Sequence, residues 1–209
     1  MLIWLLTACI SNGVQQNEFP KVLEPLDEIR VEVPEGDHYP EEITLQSENG
    51  TDYASVHARG YLHLSLDDAW TALRSDLVYV NQRDVTSYTV TDMDSEDYDY
   101  IFLVDNVVQD ILPVEFTNEW RHVGHHNINK EEISDVVVRW QKIEGTEFIQ
   151  LLEGSVEIIP VDGEDSIVEI RIIEHLKATL DQEANAIEFV TDMAERWRLV
   201  GHGEPIPDY

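Results

Sequence analysis

Asn118 and His122 sit in the run Val114–Val123, where Val114, Phe116, Asn118, Trp120 and His122 occupy every second position. In a strand that parity places all five side chains on one face. A polar amide and an imidazole among rings need partners, supplied either by the protein or by a ligand. An imidazole is also poised near neutral pH by type, so His122 is the weak candidate for a general base. No carboxylate partner for it is identifiable from spacing. His125 and His126 follow closely, and three imidazoles of this spacing could converge on zinc or copper. Gly124 and the polar run Asn127-Ile-Asn-Lys instead read as a solvated loop. The stretch Asp92–Asp99 has the acid density of a calcium loop but lacks the glycine and final Glu of an EF-hand, and reads as a charged hairpin tip. No Gly-Lys-Ser, Gly-Lys-Thr or Gly-x-Ser-x-Gly occurs, which removes the phosphate-loop and nucleophile-elbow chemistries. The residues therefore assign no catalytic group, no metal and no cofactor.

Composition narrows the partners. The net charge is -30, from 43 acidic and 13 basic residues, so the field repels nucleic acid and anionic lipid. The acids are spread along the chain, which suits a solvated surface; an acidic face docking a basic partner is the alternative. With one cysteine, no internal disulfide can form, and multi-thiolate zinc sites are excluded. Hydrophobic residues make up 43% of 209, enough for one real core.

The elements that must position these residues follow from periodicity. Residues 9–50 are acidic, carry prolines at 20, 25, 34 and 40, and read as a mobile spacer, with a short strand at Glu28–Val33 as an option. Asn49-Gly50-Thr51 reads as a turn. From Asp52 a strand begins, with Ala54, Val56, Ala58, Gly60, Leu62 and Leu64 alternating against polar residues. Ser65-Leu-Asp-Asp68 is a capping box, and Leu66, Ala69, Trp70 and Leu73 continue at helical spacing. Six more strands are expected at Val85–Asp92, Tyr98–Asp105, Val114–Val123, Asp135–Ile143, Glu147–Pro160 and Ser166–Lys177, the fifth bent at Gly154. Glu144-Gly145 and Asp162-Gly163 supply hairpin connections. Thr179-Leu-Asp-Gln182 opens a last helix, with Ala184, Ile187, Val190, Ala194 and Trp197 on one stripe and Gly201 at its C-terminal cap.

Strand, short helix, six-stranded meander and long final helix resemble the helix-grip fold of the START and Bet v 1-like (SRPBCC) superfamily. The stretch Gly60-Tyr-Leu-His-Leu-Ser-Leu-Asp-Asp-Ala-Trp70 is similar to that family's first strand and short helix, and the likeness covers residues 52–202. It implies an α+β domain in which a curved antiparallel sheet of about seven strands grips the C-terminal helix. It also implies a cavity for a lipid or other apolar small molecule. The inward faces would line that cavity with Trp70, Tyr98, Tyr100, Phe102, Phe116, Asn118, Trp120, His122, Trp140 and Trp197; packed rings filling a core are the other reading. Some members of the superfamily are enzymes, and the His/His/Asp iron site of one branch has no counterpart that can be placed here.

Finally, Leu2-Ile-Trp-Leu-Leu-Thr-Ala-Cys9 resembles the lipobox of bacterial lipoproteins. That resemblance implies a leader over residues 1–8, an acyl chain on Cys9, a tether over 9–50, the domain over 52–202 and a tail over 203–209. It places the protein at the bacterial cell envelope, lipid-anchored on the periplasmic or outer-surface side. The apolar run is far below the ~20 residues that span a bilayer.

Overall fold

The structure, a computed structural model, describes residues 19, 22–32, 38–80, 85–109, 113–126 and 132–207. Cys9, the leader and the opening of the spacer lie outside the described residues, as does Val33.

Eight strands form one antiparallel sheet: β1 Thr44–Asn49, β2 Ala54–Leu62, β3 Val85–Met93, β4 Tyr100–Gln109, β5 Pro113–His126, β6 Ile133–Gly145, β7 Ile149–Val161 and β8 Glu164–Ala178. Helices α1 Leu66–Leu73 and α2 Asp76–Tyr79 follow β2, and α3 Gln182–His202 closes the fold. The sheet order is β1-β2-β8-β7-β6-β5-β4-β3, so α3 returns to the sheet beside the first strands. It packs on β1, β2 and β8 and against α1 and α2. Its 21 residues span ~31 Å at ~1.5 Å each. Among the described residues no helix is long and apolar enough to cross a membrane.

Alternation builds the core. Val56 and Ala58 of β2, Val136, Val138 and Trp140 of β6, Val156 and Ile158 of β7, and Val168, Ile170 and Ile172 of β8 are buried in a single cluster with Val190, Met193, Ala194 and Trp197 of α3. Ser65 caps α1 as expected, its Oγ accepting from the Asp68 amide at 3.2 Å.

Five local expectations are corrected. The spacer does not extend through residue 50: residues 44–49 form β1, paired with β2 from Thr44↔Arg59 to Asn49↔Ala54. Residues 22–32 lie along the sheet face away from α3 without forming a strand, the Leu26 amide donating to Ser155 Oγ at 2.9 Å and Arg139 Nη1 to the Glu24 carbonyl at 3.1 Å. Leu23 is fully buried in this strap. The second capping box does not form; the N-cap of α3 is Asp181 in the left-handed region (φ 46°), and Thr179 Oγ1 donates instead to the Phe148 carbonyl. β1 holds the start of α3, through Ser47 Oγ to Glu183 Oε1 at 2.7 Å and Gln182 Nε2 to Asn49 Oδ1 at 2.8 Å. The left-handed C-cap is Gly203 (φ 66°), not Gly201. Gly201 lies inside the helix, where a Cβ would stand 2.3 Å from Leu64 Cδ1, so its role is close approach. The stripe of α3 also shifts: Ala186 is buried and Ala184 exposed.

Candidate functional site

One lateral row of residues crosses the concave face of the sheet: Phe102↔Trp120↔Trp140↔Gly154↔Glu174↔Val56. Strand pleating puts such cross-strand partners on the same side. Phe102 and Trp120 stack at 6.1 Å between centroids, and Trp120 and Trp140 at 4.6 Å. Gly154 is bare because the Trp140 ring lies over it: a Cβ there would meet Trp140 Cζ2 at 2.0 Å. The strand pairing runs unbroken through Gly154, so this glycine makes room for a ring rather than bending β7. The indole thereby reaches Glu174, whose carboxyl is almost completely buried. Burial pushes the Glu174 carboxyl well above the usual range, and the neighbouring Trp140 indole offsets only part of that. Burial therefore favours the neutral form of the Glu174 carboxyl.

His122 occupies the adjacent row, opposite Tyr100 and Val138. Its Nδ1 accepts a 3.2 Å hydrogen bond from Trp70 Nε1, which helix α1 projects onto the sheet. Accepting at Nδ1 fixes the neutral ring with its proton on Nε2. Burial, aided by the Arg74 guanidinium, lowers the His122 pKa to about 3. Accepting a proton would create an imidazolium that the site disfavours, which argues against the general-base role. Asn118 lies in a third row with Lys142. Lys142 is buried, donates to the Thr146 carbonyl at 2.7 Å and to the Ile149 carbonyl at 2.5 Å, and is pulled down to about 8 by desolvation.

The site thus gathers most of the expected residues. Trp70 packs edge-on to Tyr100 at 5.5 Å, and Arg74 covers the Tyr100 ring at 4.1 Å. Phe102 lies 5.4 Å from His122. Trp197 enters from α3 and ties it to α1, its Nε1 donating to the Ala69 carbonyl at 2.8 Å. Phe116 is half-buried at the rim, opposite Asn106 and Gly145. Tyr98 is the exception. β4 begins at Tyr100, and Ser95 Oγ accepts from the amides of Asp97 and Tyr98 in the preceding tip. That tip turns Tyr98 onto Arg121, which donates to its hydroxyl at 3.0 Å. Arg121 points away from Trp120 and His122 by parity, so Tyr98 belongs to the convex face.

The neighbouring motifs also resolve. Asp92 and Met93 end β3, and residues 94–99 form the β3–β4 hairpin tip, with Asp99 Oδ2 accepting from the Gly124 amide at 2.8 Å. His122, His125 and His126 do not converge. All three lie on β5, which continues past Val123 to His126, while residues 127–130 of the expected loop lie outside the described residues; His125 faces the opposite way, its Nδ1 2.7 Å from Asp135 Oδ2.

Among the described residues the interior polar atoms Asn118 Oδ1 and His122 Nε2 have no hydrogen-bond partner, whereas the Trp140 indole and the Glu174 carboxyl face each other. Glu174 and Lys142 were absent from the sequence reading, yet the signal was available. Ile170, Ile172 and Leu176 skip over Glu174 at the same parity, and Val136, Val138 and Trp140 lead on to Lys142.

The fold has solved counterparts. The lipid transfer and protein localization domain of human StarD13 superposes with a TM-score of 0.54 at 9% identity, covering 76% of this chain and 84% of that one. The STAR-related lipid transfer protein of Xanthomonas axonopodis gives 0.53 at 15% identity, covering 79% and 97%. The chain therefore has the START/Bet v 1-like fold. No family model matches the sequence, and no match to it was found among the curated proteins.

Proposed function

We propose that this protein binds an apolar small molecule or lipid between its sheet and α3, without performing chemistry on it. The observation that carries the reading is the pair of unpartnered polar atoms, Asn118 Oδ1 and His122 Nε2, within an aromatic interior. Buried polar groups almost always find partners. A mostly apolar ligand with one or two polar atoms would supply them, and an aromatic wall with few polar groups is the usual lining for such ligands. The fold supports the same reading, since the two solved structures above are named for lipid transfer. The depressed basicity of His122 favours a hydrogen-bonding role over proton abstraction.

Native mass spectrometry of the full chain tests this directly, together with titration of a fluorescent fatty-acid probe. A stoichiometric apolar adduct, or saturable probe binding weakened at least tenfold in Asn118→Leu, is expected. Neither adduct nor saturable binding in the folded protein would remove the proposal.

The second part of the proposal is the anchor: an acyl chain on Cys9 holds this acidic domain at the bacterial cell envelope. The support is the leader closing on Leu6-Thr-Ala-Cys9 and a net charge of -30 that gives the domain no attraction for anionic lipid. Metabolic labelling with a fatty-acid analogue should mark the wild-type chain. Label persisting in Cys9→Ser would overturn the assignment.

A further inference from the structure

The convex face carries a second constellation, remote in sequence and independent of the lipid-binding interior. His57 on β2 and His175 on β8 occupy neighbouring strands, with Ser55 paired to His175 and His57 paired to Ile173. The strap brings Asp27 over them. One ligand atom from each of Asp27, His57 and His175 lies within 4.8 Å of the other two. We propose that these three side chains form a binding site for a divalent transition-metal ion of the zinc class, which fastens the strap to the sheet.

Four observations carry it. Both imidazoles are buried, His57 with 2% and His175 with 6% of their surface exposed. Neither ring nitrogen of His57 has a hydrogen-bond partner among the described residues, nor does His175 Nε2. Buried imidazole nitrogens without partners are costly, and a metal ion satisfies them. The other nitrogen of His175 is engaged: Nδ1 lies 3.4 Å from Glu153 Oε1, on a carboxylate that is itself buried. A carboxylate on one imidazole nitrogen with the other left free is the arrangement that orients metal-bound histidines. Tyr53 stacks on the His175 ring at 4.3 Å, fixing its plane.

The donor set selects the ion. Two neutral imidazoles and one carboxylate suit zinc and its neighbours, whereas calcium and magnesium take oxygen shells. Tetrahedral ligands at ~2.1 Å stand about 3.4 Å apart, so the three side chains close slightly on the ion. Asp27 can follow because it rides on the strap and not on the sheet. Its carboxylate already accepts from the Glu28 amide at 2.8 Å and from Arg30 Nη2 at 2.7 Å, and Arg30 also reaches Glu48 Oε2 at 3.4 Å. The ion would share Asp27 with Arg30. A three-residue set leaves a fourth position for water.

The test uses the untagged full chain, freed of metal by chelation and titrated with Co²⁺ in a large excess of Mg²⁺ to saturate surface carboxylates. One equivalent should bind with the intense visible d–d absorption of a low-symmetry nitrogen-containing site, and Zn²⁺ should displace it. Zn²⁺ should also raise Tm and slow proteolysis between residues 22 and 32. His57→Gln and His175→Gln should each abolish the absorption band. Glu153→Gln should weaken Co²⁺ by about tenfold or more, as loss of an orienting partner does. Circular dichroism confirms that each variant is folded. No d–d band in the wild type, a band unchanged in both histidine variants, or binding removed by Mg²⁺ would each overturn the site.

Discussion

His122 and Glu174 lie on the same concave face and are perturbed by the same cause, yet they act on stability in opposite directions. Burial favours the neutral form of each. For His122 the folded pKa falls from 6.5 to about 3. As pH drops below 6.5 the unfolded chain takes up a proton that the folded one refuses, so stability is lost at up to about 1.4 kcal/mol per pH unit until pH approaches 3. For Glu174 the folded pKa rises above 4.5. As pH climbs past 4.5 the unfolded chain ionises first, and stability is lost in the alkaline direction. Two neutral replacements separate these effects. His122→Gln should narrow the loss of stability between pH 6.5 and 3 relative to wild type. Glu174→Gln should leave the acid limb unchanged and raise stability at pH 7 and above. Urea unfolding across pH measures both; parallel curves for wild type and variants would refute the assignment. Gly154 gives a third test at this scale. Alanine there cannot avoid the Trp140 ring, and Gly154→Ala should cost about 1–3 kcal/mol by overpacking, read from the shift in urea midpoint.

At the scale of elements, the strap is the part of the fold whose contribution is least apparent from its composition. Leu23 is completely buried and Val31 nearly so, although they sit in an acidic, proline-containing stretch. Leu23→Ala should destabilise the protein by about 2–5 kcal/mol, the cost of deleting a buried leucine. A spacer residue would cost nothing, so unchanged urea unfolding would return residues 22–32 to the status of a tether. This segment also marks where the sequence stops being informative. The seven later strands and both main helices were legible because burial on one face writes a period of two or 3.6 into the residues. The strap has no period to read: it buries isolated side chains and uses its backbone for single bonds such as Leu26 to Ser155. β1 is similarly obscure, because its residues are half-buried or exposed and its role is to bind the start of α3 through Ser47 and Asn49. The aromatic interior was legible from parity alone, except at Tyr98, where a turn breaks the alternation before β4 starts. The convex cluster was not, since residues 27, 57 and 175 share no spacing, and His57 reads as an ordinary outward-facing polar residue.

For the whole molecule, charge outweighs any single contact in deciding how the fold responds to its surroundings. With 43 acids against 13 bases, few of the carboxylates can find a cation. Ion pairs that do form, such as Arg171 with Glu169 at 2.6 Å and with Glu157 at 3.7 Å, draw two acids around one base. The remaining acids repel one another more strongly in the compact state than in the expanded chain. Added salt screens that repulsion, since the Debye length falls from about 30 Å at 0.01 M to about 3 Å at 1 M. The protein should therefore gain Tm steadily as NaCl rises from about 0.01 M to 1 M, where a protein held by surface ion pairs would lose it. The same experiment at fixed ionic strength separates screening from site binding. Mg²⁺ substituted for Na⁺ should raise Tm only gradually, through diffuse association with carboxylates. Zn²⁺ at micromolar concentration changes ionic strength negligibly, so any stabilisation it gives comes from specific contacts. A Tm that falls with NaCl would show that attraction, not repulsion, dominates the surface of the folded chain.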